Sequence, residues 1–256
     1  MGLWTLNHFY AIVPAFIIFA GIAILLGFLL KNKSEETKLL PLRIIASSIV
    51  LLELAKQLIS LSRGYDLYHL PFHYCSLFIF LLPLHAFAFG KLKKYIDGIT
   101  FATTSSLFLF FVIVPTILYP EGAITNVAGN FFDFHTLAFH HLVVLYLFIA
   151  VALGQFKLNL KRDFAVIAIV LSGYVIVATI LAYTLKVNFQ NLRVCNMAAI
   201  DNIRVAMNNA LGWFGQAIYI FVLFVLTTLF GYLSYFLIGL FYKNVIVRKK
   251  KKEKKK

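Results

Sequence analysis

Residues His69–His85 read HLPFHYCSLFIFLLPLH. The stretch is greasy enough to lie in hydrocarbon, yet it carries His69, His73, His85, Cys75 and the prolines Pro71 and Pro83. Polar and ionisable groups inside a bilayer are costly and tend to mark function. The stretch therefore poses two questions: what kind of fold surrounds it, and what its thiol and imidazoles meet there.

The rest of the chain answers the first. Mean hydropathy is +0.87 and 13% of residues are charged, against about 25% in a soluble domain. Seven apolar runs follow one another, at residues 9–30, 39–61, 70–90, 95–118, 133–153, 164–185 and 211–242. Runs of about 20 residues fit membrane helices, whereas barrel strands alternate over about 10. The expectation is an all-α integral membrane protein, a seven-transmembrane-helix bundle over residues 1–245 with a polybasic tail at 246–256. The last run exceeds what a bilayer needs and is expected to tilt or project. The first lacks the basic start of a cleaved signal peptide and is too long for its apolar core.

Charge orients the bundle. Lys31, Lys33 and Lys38 follow the first run, Lys91, Lys93 and Lys94 the third, and Lys157, Lys161 and Arg162 the fifth. With Lys243, Arg248 and the terminal KKKKEKKK they put 18 basic residues on one side, against 4 in the other loops. The positive-inside rule then places the N-terminus outside and the C-terminus in the cytoplasm. The tail reads as a topology anchor that touches anionic lipid, not as a nucleic-acid site. Lys outnumbers Arg 18 to 6 and Ile, Phe and Asn abound, which points to an AT-rich bacterial genome and a multi-pass protein of the bacterial cell membrane. Two cysteines, Cys75 and Cys195, allow one disulfide but no framework.

Within the runs the polar candidates are Glu53, Lys56, His73, His85, His140 and His141. Pro71 suits the first turn of a helix, which would set Cys75 about one turn in, near the partial positive charge that favours a thiolate. His73, two residues away, would point to the other side of such a helix and be a poor direct base. His140 lies about two turns into the fifth run, on the order of 10 Å deep, at a depth matching Cys75. Glu53, Lys56 and Gln57 share one helix face and read either as a polar seam between helices or as a direct contact to substrate. A thiol and an imidazole are the minimum for nucleophilic acyl chemistry. No paired carboxylates suggest a metal cage, so neither a metal nor a cofactor is expected.

At these residues the chain resembles a known family. LPFHYCSLFIFLLPL (70–84), with Glu53 upstream, is similar to the LPLHxC signature of the bacterial YwaF-like integral membrane proteins, which are related to the eukaryotic transmembrane protein 164-type phospholipid acyltransferases. FHTLAFHHLVVLYL (134–147) resembles the family's span-five segment, with the family histidine at His140 and His141 in place of its usual glycine. YTLKVNFQNL (183–192) resembles an element after span six that falls on Asn188 and Phe189, and ALGWFG (210–215) resembles the aromatic start of the last span. Phe139 replaces a usual serine, and Gln190–Asn209 differs from the family's short loop.

The resemblance implies seven helices, a Cys–His active site and transfer of fatty acyl chains from one phospholipid to another lipid without coenzyme A. Cys75 would attack the ester to give a thioester. His140 would take the thiol proton and later activate the acceptor. His73, Glu53 and Asn188 would orient the site or stabilise the oxyanion. Membrane phospholipids would be donor and acceptor; with water as acceptor the enzyme becomes a lipid hydrolase. The rival is a small-solute transporter or its substrate-binding membrane subunit, with polar groups facing a cavity but no chemistry. A retinal-type photoreceptor is disfavoured, because the last run holds no lysine before Lys243.

Overall fold

The computed structural model describes residues 4–119 and 121–247. Arg248 and the terminal lysine run lie outside the described residues, so the polybasic tail enters no structural argument. Among the described residues every regular element is helical. Six helices are long and apolar enough to cross a membrane. They are α1 (Leu6–Leu29), α2 (Glu35–Ser62), α4 (Gly90–Ile113), α7 (Phe131–Leu153), α8 (Leu160–Thr184) and α10 (Trp213–Phe241). Between α2 and α4 lies the shorter α3 (Leu77–Phe87). The short helices α5 (Pro115–Leu118) and α6 (Glu121–Thr125) lead into α7, and α9 (Ala198–Leu211) precedes α10.

Local chemistry sets the helix ends. Ser34 caps α2 by accepting from the Thr37 amide at 3.2 Å, with Glu35 and Glu36 in the first turn. Asn130 caps α7 through Phe132 N at 3.0 Å, and Asn159 caps α8 through Arg162 N at 3.1 Å. Gly154 ends α7 at φ +68°, and Gln155 N reaches back to the Ala150 carbonyl at 2.9 Å, a left-handed cap that favours glycine. Glycine is also required at Gly212, φ +58°, in the tight turn from α9 to α10.

The bundle is organised on α4, which is buried without a break from Asp97 to Leu107. That run is rich in Thr and Ser, and the hydroxyls of Thr103, Thr104 and Ser106 bond back to their own helix, as Thr104 Oγ1 does to Thr100 O at 2.7 Å. Such small residues let neighbouring helices approach closely. α1 and α2 pack on α7, and α2 on α3. On the other hand α8 and α9 pack on α10. α4 touches both groups through α3, α7, α8 and α10.

The third run departs from its expected form. α3 starts at Leu77, not near Pro71, and its 11 residues span roughly 16 Å. Residues 63–76 instead form turns and extended backbone, with Leu70 at ψ 142° and His73 at ψ 154°. Cys75 sits in the 3-10 turn Tyr74–Ser76 just before α3. The residue before a proline is pushed to extended backbone, which keeps Leu70 out of a helix. The carbonyls thus freed are taken by side chains: Gln57 Nε2 donates to His69 O at 2.7 Å, Tyr174 Oη to Pro71 O at 3.1 Å and His73 O at 2.8 Å, and Gln190 Nε2 to Phe72 O at 3.0 Å. Irregular backbone among membrane helices survives where it is satisfied this way and lines a cavity.

Candidate active site

The irregular segment opens onto a cavity of about 520 Å³. Glu53 and Lys56 of α2 line it, as do His69, His73 and Cys75 of the connection, His135 and His140 of α7, and Gln190 to Leu192 of the loop after α8. Leu107, Phe110, Leu118, Phe139, Leu223 and Phe224 line it too. The space thus joins a set of polar groups to an apolar wall built from both helix groups.

Four of the five expected site residues meet here: Cys75, His140, His73 and Glu53. His140 is 6% exposed, and its Nδ1 has no hydrogen-bond partner among the described residues. A buried imidazole nitrogen left unpaired beside a cavity is unusual in a folded protein and marks the residue as a functional candidate. His141, turned away, gives Nδ1–H to its own helix at Leu137 O, 2.8 Å, and packs on Phe19 and Phe111. His73 Nε2 lies 3.0 Å from Tyr68 O, a pure acceptor, so that nitrogen carries the proton and fixes the tautomer. The ring also packs edge-on against Phe189. His69 stacks on Phe132 at 4.3 Å and pairs with Ser60 Oγ at 2.7 Å. It ends the 3-10 turn Leu67–His69 on the connection before α3.

Glu53 is the best-connected carboxylate of the site. Lys56 Nζ lies 2.7 Å and Gln57 Nε2 2.6 Å from its Oε1, and His135 Nε2 lies 3.3 Å from Oε2. The α2 face seen in the sequence therefore reaches across to α7. His135 is a cavity residue that sequence reasoning passed over. It stood in the same FHTLAFHH stretch, five residues before His140, but nothing in its spacing announced a carboxylate partner on another helix.

Asn188 is placed elsewhere. Its Oδ1 accepts from Arg193 N at 3.0 Å and Val194 N at 3.1 Å, and its Nδ2 donates to Val194 O at 2.9 Å. These bonds close its own loop, and Asn188 does not line the cavity. Its neighbours Gln190 and Asn191 do, both held at positive φ of 51° and 60°. Cys195 is buried, and both cysteines are free thiols. His85, the remaining histidine of the opening stretch, is fully buried at the far end of α3 between Tyr146 and Asp97. Among the described residues no cluster of three His, Cys, Asp or Glu side chains is positioned to hold a metal ion.

The sequence model of the TMEM164 family matches residues 3–235. The chain belongs to that family. The match spans every long helix except the end of α10, so the cavity and the irregular Cys75 segment both lie within the TMEM164 region. No curated protein and no solved structure matches the chain.

Proposed function

We propose that this TMEM164-family chain is a membrane lipid acyltransferase, moving a fatty acyl chain between phospholipids through a thioester on Cys75. The observation that carries the reading is the sharing of one cavity by a thiol on irregular backbone and a buried imidazole with an unpaired nitrogen. Family membership supports it. The donor ester lies with its carbonyl at Cys75 and its chain along Leu107, Phe110 and Phe224. His140 accepts the thiol proton as sulfur bonds to the carbonyl carbon and returns it to the departing lysolipid oxygen. The thioester then passes its acyl group to an acceptor lysolipid, or to water in the hydrolase variant. The test is intact mass after incubation with isotope-labelled phospholipid. A fatty-acyl mass shift that maps to Cys75 supports the reading, and turnover without any adduct removes it.

In this reading the chain crosses a bacterial plasma membrane seven times, N-terminus outside, with the tail on anionic lipid inside. α3 makes the third crossing together with the irregular segment before it. Arg43 of α2 sits over Phe87 and donates to Ala86 O, while Gln57 of α2 holds His69. Residues 69–86 thus run alongside 14 residues of α2, roughly 21 Å of helix. Accessibility of a tag after Lys256 from outside intact cells would overturn the orientation. The transporter reading draws on one observation, the Glu53–Lys56–His135 cluster at the cavity. Unchanged solute flux into liposomes carrying Cys75→Ala protein would favour it.

A further inference from the structure

The cavity holds two buried histidines on α7, and they differ in what holds them. Among the described residues no contact ties His140 to a carboxylate. His135, 7% exposed, has Glu53 Oε2 at 3.3 Å from its Nε2. The other oxygen of that carboxylate is occupied by Lys56 and Gln57 at 2.7 and 2.6 Å, so Glu53 is fixed before it meets the imidazole. Phe139 stacks on the His135 ring at 5.5 Å and 29°, limiting its rotation. The pair stands at ion-pair distance without hydrogen-bond alignment, as catalytic contacts often do before substrate binds; a carboxylate on one ring nitrogen selects its tautomer and orientation and leaves the other nitrogen to take a proton. Mere structural pairing of α2 with α7 is already provided by their long packed interface.

We infer that His135, oriented by Glu53, is a second acid–base histidine, which activates the acceptor while His140 serves the thiol. The inference rests on the acyltransferase reading. His135 lies five residues nearer the start of α7 than His140, about 7 Å along the axis. There the cavity is lined by Asp133, Thr136, Lys56 and His69, a polar setting suited to the glycerol hydroxyl and head group of a lysolipid. His135 takes the hydroxyl proton as the oxygen bonds to the thioester carbonyl carbon. The C–S bond breaks with its electron pair on sulfur, and the proton on His135 then neutralises the Cys75 thiolate. The new ester leaves, and the enzyme is restored. Glu53 is a positioning residue in this scheme, since it acts through His135.

The two half-reactions separate the roles. Protein purified in phospholipid nanodiscs is loaded with a labelled donor phospholipid, quenched, and assayed for adduct on Cys75; lysophospholipid is then added and loss of the adduct is timed. In His135→Gln the adduct forms within a few-fold of the wild-type rate, whereas its discharge to lysophospholipid slows by about 100-fold, the lower range for a lost acid–base group. Hydroxylamine, a nucleophile that needs no base, discharges variant and wild type alike. Equal discharge of variant and wild type by lysophospholipid overturns the inference. So does a loss of adduct formation that matches the loss of discharge, or a hydroxylamine rate that falls with them, since both mark a structural role. If His135→Gln cannot be recovered folded, Glu53→Asp, which withdraws the carboxylate, must show the same accumulation of adduct, and its absence overturns the inference equally. Absence of any adduct on wild-type protein is a different result: it removes the acyltransferase reading itself.

Discussion

The bundle contains the same trio of side chains twice, once at each end of α3. At the cavity end stand Glu53, Lys56 and His135; at the closed end stand Asp97, Lys93 and His85. In the closed trio His85 Nε2 lies 3.2 Å and Lys93 Nζ 3.4 Å from Asp97 Oδ1. Tyr146 Oη sits 2.6 Å from His85 Nδ1, and the Lys157 amide donates to Asp97 Oδ2 at 3.0 Å. His85 and Asp97 are both 0% exposed, and His85 is packed against Phe156 with no place on the cavity. Both ring nitrogens of His85 are engaged and it does not line the cavity. Such a network pins helices. The cavity trio has similar chemistry but faces open volume beside a thiol. Composition alone therefore does not separate a lock from a site; spare valence and adjoining space do.

The largest test of that contrast removes the thiol. Cys75→Ala is expected to abolish both the acyl adduct and lipid turnover, with the protein still folded. His140→Ala is expected to slow both strongly, and the double variant to be hardly worse than either single one, because groups that act as a unit are not additive. Wild-type lipid turnover by purified Cys75→Ala protein would end the thiol mechanism. At the closed end the expectation is the reverse. Asp97→Ala leaves His85 and Lys93 without their shared carboxylate in a buried setting, a change that typically costs about 3–5 kcal/mol. It should lower the thermal midpoint in detergent steeply, while whatever protein stays folded still forms the adduct. Full stability with lost adduct would exchange the roles of the two ends.

A smaller effect is expected where the two helix groups meet. A Cβ on Gly98 would collide with the carboxyl group of Asp163. Asp163 cannot swing away, because Arg162 Nε at 2.8 Å, Asn159 N at 2.7 Å and Tyr235 Oη at 2.7 Å hold it. Gly98→Ala should thus cost about 1–3 kcal/mol by overpacking, read as a lowered thermal midpoint. An unchanged midpoint would show that α4 and α8 part more easily than the buried contacts suggest.

Much of this was legible in the chain. Six of the seven apolar runs correspond to long helices, because about 20 consecutive apolar residues leave few alternatives in lipid. The depth of Cys75 could be matched to that of His140, and Glu53 could be placed in the same outer half. The irregular start of the third run was not legible, since its backbone is held by Gln57, Tyr174 and Gln190 from three distant parts of the chain. The pairing of Glu53 with His135 was hidden for the same reason. α9 escaped notice because two of its polar residues are spent inside the fold: Arg204 and Asn208 bond to Gln216, at 3.3 and 2.8 Å. Asn188 drew attention by its position in a motif, yet its amide closes its own loop.

That loop supplies the smallest expected effect, and one with a defined pH dependence. Asp201 of α9 accepts from Arg204 Nε at 2.6 Å and from the Cys195 amide at 2.8 Å, tying the start of α9 to the segment that brings Gln190 and Asn191 to the cavity. The Arg204 hydrogen bond, and after it the Cys195 amide, holds the Asp201 carboxyl below the usual carboxylate range. A group with its folded-state pKa depressed contributes stability above its unfolded value, about 3.9, and loses that contribution as pH falls through the folded value. Asp201→Asn should therefore lower the thermal midpoint slightly near pH 7. The gap between variant and parent should begin to close below about pH 4 and vanish as pH falls through the lower folded-state value, where the parent's own carboxylate becomes protonated. A gap that stays constant from pH 7 to pH 3 would mean that the substitution acts through the shape of the loop, and that the charge of Asp201 contributes nothing to holding it over the cavity.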